Sequence, residues 1–306
     1  MRIASLLPSA TEILFALGLG DDVVGVTHEC AYPPEALSKP RLVTSRIDHE
    51  QLDSEAIHRF VTDCLRRHES LYRVDVAMLQ RLRPDLVVTQ ELCEVCAVDA
   101  KDVLAAVRTL SPPPCIVSLH PHTLREALSD ILVVGRATER VAQAQQLVAE
   151  LDARAARVQR LGQTVQVRPR VFCLEWLDPP MASGHWVPEL VELAGGREVL
   201  GEAGQPSRVV NWSEIVAAQP EIIVVMPCGF PIARTARELP LLERQPEWPQ
   251  LPAVRSGRVY LVNGPAYFNQ SGPRSIDGLE LLARLIHVER LDELPQEDAR
   301  RWPGLA

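Results

Sequence analysis

The chain has 306 residues, is 46% hydrophobic and 24% charged, and carries a formal net charge of −8. That length holds two domains of ordinary size, and the aliphatic content excludes wholesale disorder. The negative charge argues against a nucleic-acid surface, which is normally basic, and no run approaches the ~20 apolar residues that cross a bilayer. The N-terminus passes from Met1-Arg2 directly into Ile3-Ala4-Ser5-Leu6-Leu7-Pro8, with Glu12 close behind. The basic, apolar and small-residue regions of a secretory leader are missing from that stretch. The reading is either a cytoplasmic protein or an exported one whose signal lies outside this sequence. The seven cysteines, Cys30, Cys64, Cys93, Cys96, Cys115, Cys173 and Cys228, are irregularly spaced. They do not form a disulfide framework, and they favour a reducing compartment.

Short apolar runs alternate with helical patterns, as in βαβ units around a largely parallel sheet. Arg2–Leu7 is the first strand. Ser9 or Thr11 caps a helix through Leu17, which Gly18-Leu19-Gly20 ends. Val23–Val26 is the second strand. Helices follow over Ser54–His68, with Ile57, Val61, Cys64 and Leu65 on one face, and over Val74–Leu82, stopped by Pro84. Asp85–Thr89 is a buried strand, Val103–Leu110 lies in a helix, and Cys115–Leu119 closes the first half. Thr123–Leu161 then carries a helical stripe of Leu147, Val148, Leu151, Ala155, Val158 and Leu161, with a break near Gly135 and Thr138 as a fresh cap. A helix over Glu139–Leu161 spans roughly 35 Å at ~1.5 Å per residue, the width of a domain. In the second half Arg170–Trp176, Glu221–Met226 and Arg258–Val262 are strands, and Val187–Ala194 and Ser213–Ala218 are helices. Arg83-Pro84-Asp85-Leu86-Val87-Val88 is echoed by Gln219-Pro220-Glu221-Ile222-Ile223-Val224, and Leu17–Val24 by Leu193–Leu200. These echoes support two related lobes. The expected division is an N-terminal α/β lobe over 1–120, a stiff bridging helix within 121–165, and a C-terminal α/β lobe over 166–306.

No G-x-S-x-G elbow, P-loop or H-E-x-x-H motif occurs, which favours binding over catalysis. Loops at the carboxyl ends of strands line the crevice of open α/β sheets. Thr27-His28-Glu29-Cys30-Ala31-Tyr32 is such a loop, and His28 is a candidate ligand for a metal centre. Cys93-Glu94-Val95-Cys96 follows Thr89-Gln90-Glu91-Leu92. It reads as a redox pair, half of a metal site, or two buried thiols, and with Cys30 and His28 it offers four ligands for one tetrahedral ion. Trp176, Trp186, Trp212, Tyr267 and Phe268 fall at strand ends or in loops, where a planar ligand finds flat apolar walls or where lobes are glued to the bridging helix. Glu91, Glu175 and His185 stand beside them as polar contacts.

Ile3-Ala4-Ser5-Leu6-Leu7-Pro8-Ser9-Ala10-Thr11-Glu12 resembles the opening of class III substrate-binding proteins of ABC importers. Further likenesses are Arg83–Val88, Val191-Glu192-Leu193-Ala194-Gly195-Gly196, Gly257-Arg258-Val259-Tyr260, Gly272-Pro273-Arg274 and Asp277-Gly278-Leu279-Glu280. The branch it resembles most is the cobalamin-binding one. The resemblance implies two Rossmann-like lobes with mostly parallel sheets joined by a long helix, and no enzymatic activity. It implies a ligand held in the inter-lobe cleft, cobalamin or a related corrinoid, with no cofactor required, and haem or a ferric siderophore as alternatives. The contacts it implies are His28, Glu29, Tyr32, Gln90 and Glu91 in the first lobe and Trp176, His185, Trp212, Tyr267 and Phe268 in the second. Docking to a permease would use Asp99 and, near Ser213, Glu214. A monomer that neither binds nucleic acid nor inserts into membranes is expected. A different reading of the same fold is a cytoplasmic metal-handling or redox protein using Cys30, Cys93 and Cys96.

Overall fold

The protein is described by a computed structural model covering residues 1–49, 51–90, 105–107, 110–164, 166–287 and 298–302. The chain divides into two compact units. The first comprises Met1–Asp48, Arg59–Pro121 and Arg125–Leu151, and the second His49–His58, His122–Leu124 and Asp152–Ala306.

The first unit is built on six strands, β1 (Ile3–Ser5), β2 (Val23–Thr27), β3 (Arg41–Ser45), β4 (Tyr72–Val74), β5 (Leu86–Gln90) and β6 (Cys115–Leu119), in the order β4-β3-β2-β1-β5-β6. Neighbours are parallel except β4, which runs antiparallel to β3. The chain first steps outward from β1 through β2 to β3, then returns to β5 on the other side of β1. The strand order thus reverses between β1 and β5, the kind of switch point at which open α/β sheets take ligands at the carboxyl ends of their strands. Helix α1 (Pro8–Ala16) starts on a proline whose fixed φ suits the first helical position. It buries Ala10, Ile13 and Leu14 completely.

Helices α2 (Ser54–Arg66), α3 (Val76–Leu82), α4 (Leu124–Ala137) and α5 (Val141–Gln163) complete the first half of the chain. Three details differ from the sequence reading. Ser9 and Thr11 lie inside α1, which has Leu7 at its N-cap and no side-chain cap. Val74 belongs to β4, where it pairs with Val43, and α3 begins two residues later, with the Asp75 carboxylate accepting from the Met78 amide at 2.8 Å. Thr138 does not cap a new helix. Its hydroxyl donates back to the Val134 carbonyl at 2.8 Å, closing α4, and Glu139 makes the turn with φ 58°. Gly135 lets α4 and α5 approach, since a Cβ there would sit 2.4 Å from that of Ala144.

Among the described residues the second unit has seven strands: β7 (Arg170–Leu177), β8 (Pro180–Ala182), β9 (Arg197–Glu198), β10 (Arg208–Val209), β11 (Ile222–Val225), β12 (Val259–Val262) and β13 (Ala299–Arg301). Their order is β10-β8-β7-β11-β12-β13, with β9 beside the first residues of β7. The core strands β7, β11 and β12 are parallel. Helices α6 (Val187–Leu193), α7 (Trp212–Ala218), α8 (Ile232–Glu243) and α9 (Ser275–Ile286) pack around them. The echo seen in the sequence is a real backbone repeat. Helix α3 ends on Arg83 with φ 43° and α7 on Gln219 with φ 48°. Each left-handed residue is followed by a proline and then by β5 or β11, whose apolar residues are buried on both faces.

The border between the units crosses helices. It falls inside α2 and inside α5, so residues 49–58 pack with the second unit. The cause is a buried ion pair on α8. Arg234 and Glu238, each 6% exposed, face one another one turn apart. The Arg234 guanidinium donates to the carbonyls of His49 at 3.1 Å and Leu52 at 2.7 Å, and the Glu238 carboxylate accepts from the Ser54 amide at 3.1 Å. The carboxylate thus caps the open N–H end of α2, where negative charge is favoured. Removing one member of such a pair strands the other in a dry site. Glu238→Ala is therefore expected to lower stability in urea denaturation by about 3–5 kcal/mol. The double replacement Arg234→Met, Glu238→Leu should recover part of that loss, whereas a loss under about 1 kcal/mol would show that the pair does not hold the segment.

Candidate functional site

Each unit presents the carboxyl ends of its parallel strands, and the chemistry collects there. In the first unit the turn after β2 carries His28 and Glu29. The Arg41 guanidinium donates to the carbonyls of Thr27 at 2.7 Å and Cys30 at 3.1 Å, and the Glu29 amide bonds the Thr27 hydroxyl at 3.3 Å. Cys30 fastens the turn to α1. Its Sγ is 3.1 Å from the Thr11 hydroxyl, which donates to it, and 3.2 Å from the Thr27 hydroxyl. Held in this way, His28 Nε2 lies 3.8 Å from Glu29 Oε1, and its ring centre is 5.8 Å from that of Tyr72. Burial pushes the Glu29 carboxyl up to about 7. Tyr32 is exposed at the rim, and Gln90 is half-buried at the end of β5.

Cys30, one of the four residues of the expected metal set, is 0% exposed, and burial raises its pKa, so with no ion bound the thiol is a protonated fastener of the turn. Cys93 and Cys96, its expected partners, lie outside the described residues, as do Glu91 and Asp99. Among the described residues no group of three or more His, Cys, Asp or Glu side chains is placed to hold a metal ion.

In the second unit the end of β11 is Met226-Pro227-Cys228-Gly229-Phe230. Gly229 adopts φ 77°, and a Cβ there would come within 3.5 Å of the His49 ring. Phe230 is fully buried, edge-on to His49 at 6.4 Å, beside Trp176 at 5.1 Å and under the Arg234 guanidinium at 4.3 Å. Trp176 is consequently not an open wall. It is 7% exposed, and its indole N–H is shared between the carbonyls of Ser54 at 3.2 Å and Asp178 at 3.1 Å. Phe268 is likewise a core residue, 1% exposed and packed under Gly278 of α9. Trp212 is half-buried, with its ring edge-on to Trp248, which in turn meets Trp302. Tyr267 remains partly open. Its hydroxyl donates to Asp298, and burial together with that carboxylate holds its pKa above the phenol range.

Glu175 and His185 stand at the other end of this face. The Glu175 carboxylate accepts from the Ser207 hydroxyl at 2.9 Å, and burial pushes it up to about 7. His185 is half-buried between His122 and Trp186, and burial lowers its pKa. Glu214, expected to dock a permease, has both oxygens engaged. One accepts from the Asn211 amide and the other from Arg208, each at 2.8 Å, so the side chain caps α7. Sequence reasoning missed His49, His122, Phe230, Arg234 and Glu238. The apolar run into Cys228-Gly229-Phe230 marks a strand end, but nothing in the sequence sets Arg234 and Glu238 apart from an ordinary surface pair.

Comparison with known proteins places this arrangement. Residues 3–266 match the model of a family described as periplasmic binding protein. Over 300 residues the chain is 26% identical to the ABC transporter substrate-binding lipoprotein YvrC of Bacillus subtilis, covering 95% of this chain and 82% of that one. Over 291 residues it is 24% identical to the vitamin B12-binding protein of Vibrio cholerae serotype O1, covering 94% and 89%. The solved apo structure of the periplasmic heme-binding protein RhuT from Roseiflexus sp. RS-1 shares the fold, with a TM-score of 0.73, 24% identity and coverage of 94% and 98%. These relatives are named as binding proteins, not enzymes.

The raised carboxyl of Glu175 has a consequence for stability. The native state keeps this proton up to about pH 7, whereas the unfolded chain releases it near 4.5. Its contribution is complete below 4.5 and is lost as pH rises toward 7. Glu175→Gln cannot lose it. The stability of this variant relative to the wild type should rise between pH 4.5 and 7 and level off above, measured by urea denaturation across that range. A difference that does not change with pH would show an ordinary carboxyl.

Proposed function

The chain belongs to the periplasmic binding protein family, and from that premise we propose that it binds a metal-bearing macrocycle, cobalamin or a related corrinoid, as the substrate-binding component of an ABC importer. The observation that carries this reading is the match, over nearly the whole chain, to a relative named for vitamin B12. A corrinoid is a broad apolar body edged with amides. It asks for exposed aromatic surface and for uncharged donors and acceptors. Tyr32, Gln90 and the protonatable carboxyl of Glu29 answer that requirement in the first unit, with Glu91 following Gln90 in sequence. Tyr267, His185 and Glu175 answer it in the second. His28 is the candidate to approach the metal centre.

An anionic ferric siderophore is served less well. Arg46 is committed to Glu69 at 3.0 Å and to the Ser70 carbonyl, and Arg208 to Glu214. Arg274 lies over the Tyr267 ring at 5.8 Å. The basic side chains such a ligand needs are already engaged.

Purified protein titrated with hydroxocobalamin should show saturable one-to-one binding by calorimetry and a shift in visible absorption. Tyr32→Ala should weaken it about tenfold, which corresponds to ~1.4 kcal/mol. No saturation up to high micromolar cobalamin would overturn the reading, and saturation by haem alone would reassign the ligand.

A further inference from the structure

We propose that His122 and His185 form a two-imidazole site for a divalent transition-metal ion on the second unit. The inference stands apart from the ligand reading above, because it concerns a free metal ion and residues that reading uses only in part.

Four observations converge on the pair. The first is spacing. With nitrogen–metal bonds of about 2.0–2.1 Å, each imidazole centre lies about 3.2 Å from its ion, so two rings sharing one ion have centres roughly 5.2 Å apart at a tetrahedral angle and up to about 6.4 Å apart at wider ones. The ring centres of His122 and His185 are 5.8 Å apart, with planes inclined at 40°.

The second is an unsatisfied atom. Nδ1 of His185 is buried and meets no hydrogen-bond partner among the described residues. Such an atom costs free energy unless something outside the fold satisfies it. An ion bound at that nitrogen would.

The third is the rigidity with which His185 is presented. Its backbone holds φ 51°, a left-handed conformation that a side chain with a Cβ rarely adopts. Two hydrogen bonds keep it there. The His185 amide donates to the Gln205 carbonyl at 2.6 Å, and the Gly204 amide donates to the His185 carbonyl at 2.8 Å. Gly184 makes this possible, since a Cβ there would lie 2.3 Å from the Gln205 carbonyl oxygen. Strain of this kind persists where the surroundings impose it and collects at functional positions. On the other side of the pair, the Leu124 amide donates to Glu189 at 2.9 Å and fixes the chain two residues after His122.

The fourth is access. Imidazole suits zinc, copper, iron and nickel. His122 is exposed, so the ion has an open approach, and water can complete its coordination.

The test uses untagged full-length protein, stripped with EDTA and titrated with Ni²⁺ by calorimetry. One ion per chain with micromolar affinity is expected. His122→Ala and His185→Ala should each weaken binding at least tenfold, while His68→Ala, on the exposed surface of the first unit, leaves it unchanged. His122 is exposed, so its replacement tests the site even if His185→Ala folds poorly. Co²⁺ supplies a second readout: its spectrum should lack thiolate charge-transfer bands. The proposal is overturned if the wild type does not bind Ni²⁺, if both variants bind as well as the wild type, or if the cobalt spectrum shows thiolate ligation.

Discussion

The buried pair of Arg234 and Glu238 sets the terms for the second unit. Two charges at 6% exposure are tolerable only when each is fully bonded. Here the bonds come from a distant part of the chain, the carbonyls of His49 and Leu52 and the amide of Ser54. The residues contributed by that segment then become part of the strand-end face. His49 stands against Phe230 and Gly229, and the Ser54 carbonyl takes the indole N–H of Trp176. The second unit is therefore incomplete when cut from the sequence at residue 166. What reads as an aromatic wall in the sequence is a packed joint in the structure.

The electrostatic character of the two strand-end faces follows from the same economy of water. Glu29 and Glu175 are carboxyls raised to about 7, and His185 is an imidazole held low, all chiefly by burial. Carboxyls tuned in this direction are about half protonated near pH 7, so they serve as donors as well as acceptors, and the imidazole is favoured in its neutral form. The arginines follow the same logic, since Arg46 and Arg208 spend their charge on carboxylates within their own units.

The parallel sheets were legible in the sequence because buried strands leave continuous apolar runs. Leu86-Val87-Val88 and Ile222-Ile223-Val224-Val225 have no other economical reading. The turn before each was legible too, since a proline after a helix end forces a break, and the structure adds that Arg83 and Gln219 take the same left-handed conformation. The two long helices were recovered to within two or three residues at each end. The attachment of residues 49–54 to α8 was not legible, because it depends on long-range bonds from Arg234 and Glu238. Nor could the sequence separate aromatic residues at strand ends that face solvent, such as Tyr32, from those that do not, such as Trp176 and Phe268. That distinction is set by what packs on them from elsewhere in the chain.

The turn after β2 shows what packing adds to a ligand-like sequence pattern. His28-Glu29-Cys30 presents two soft ligands in three residues, and their spacing alone permits a metal site. In the structure a pair of hydroxyls, Thr11 and Thr27, lies close to Cys30 Sγ inside the core. A sulfur so placed orients its neighbours. Fixing Cys30 against α1 is what holds His28 and Glu29 at the strand end. The metal-binding capacity expected from cysteine is thus better sought, among the described residues, in paired imidazoles that need no deprotonation to ligate. His122 and His185 are such a pair, on the opposite unit from the turn where the sequence first suggested a metal.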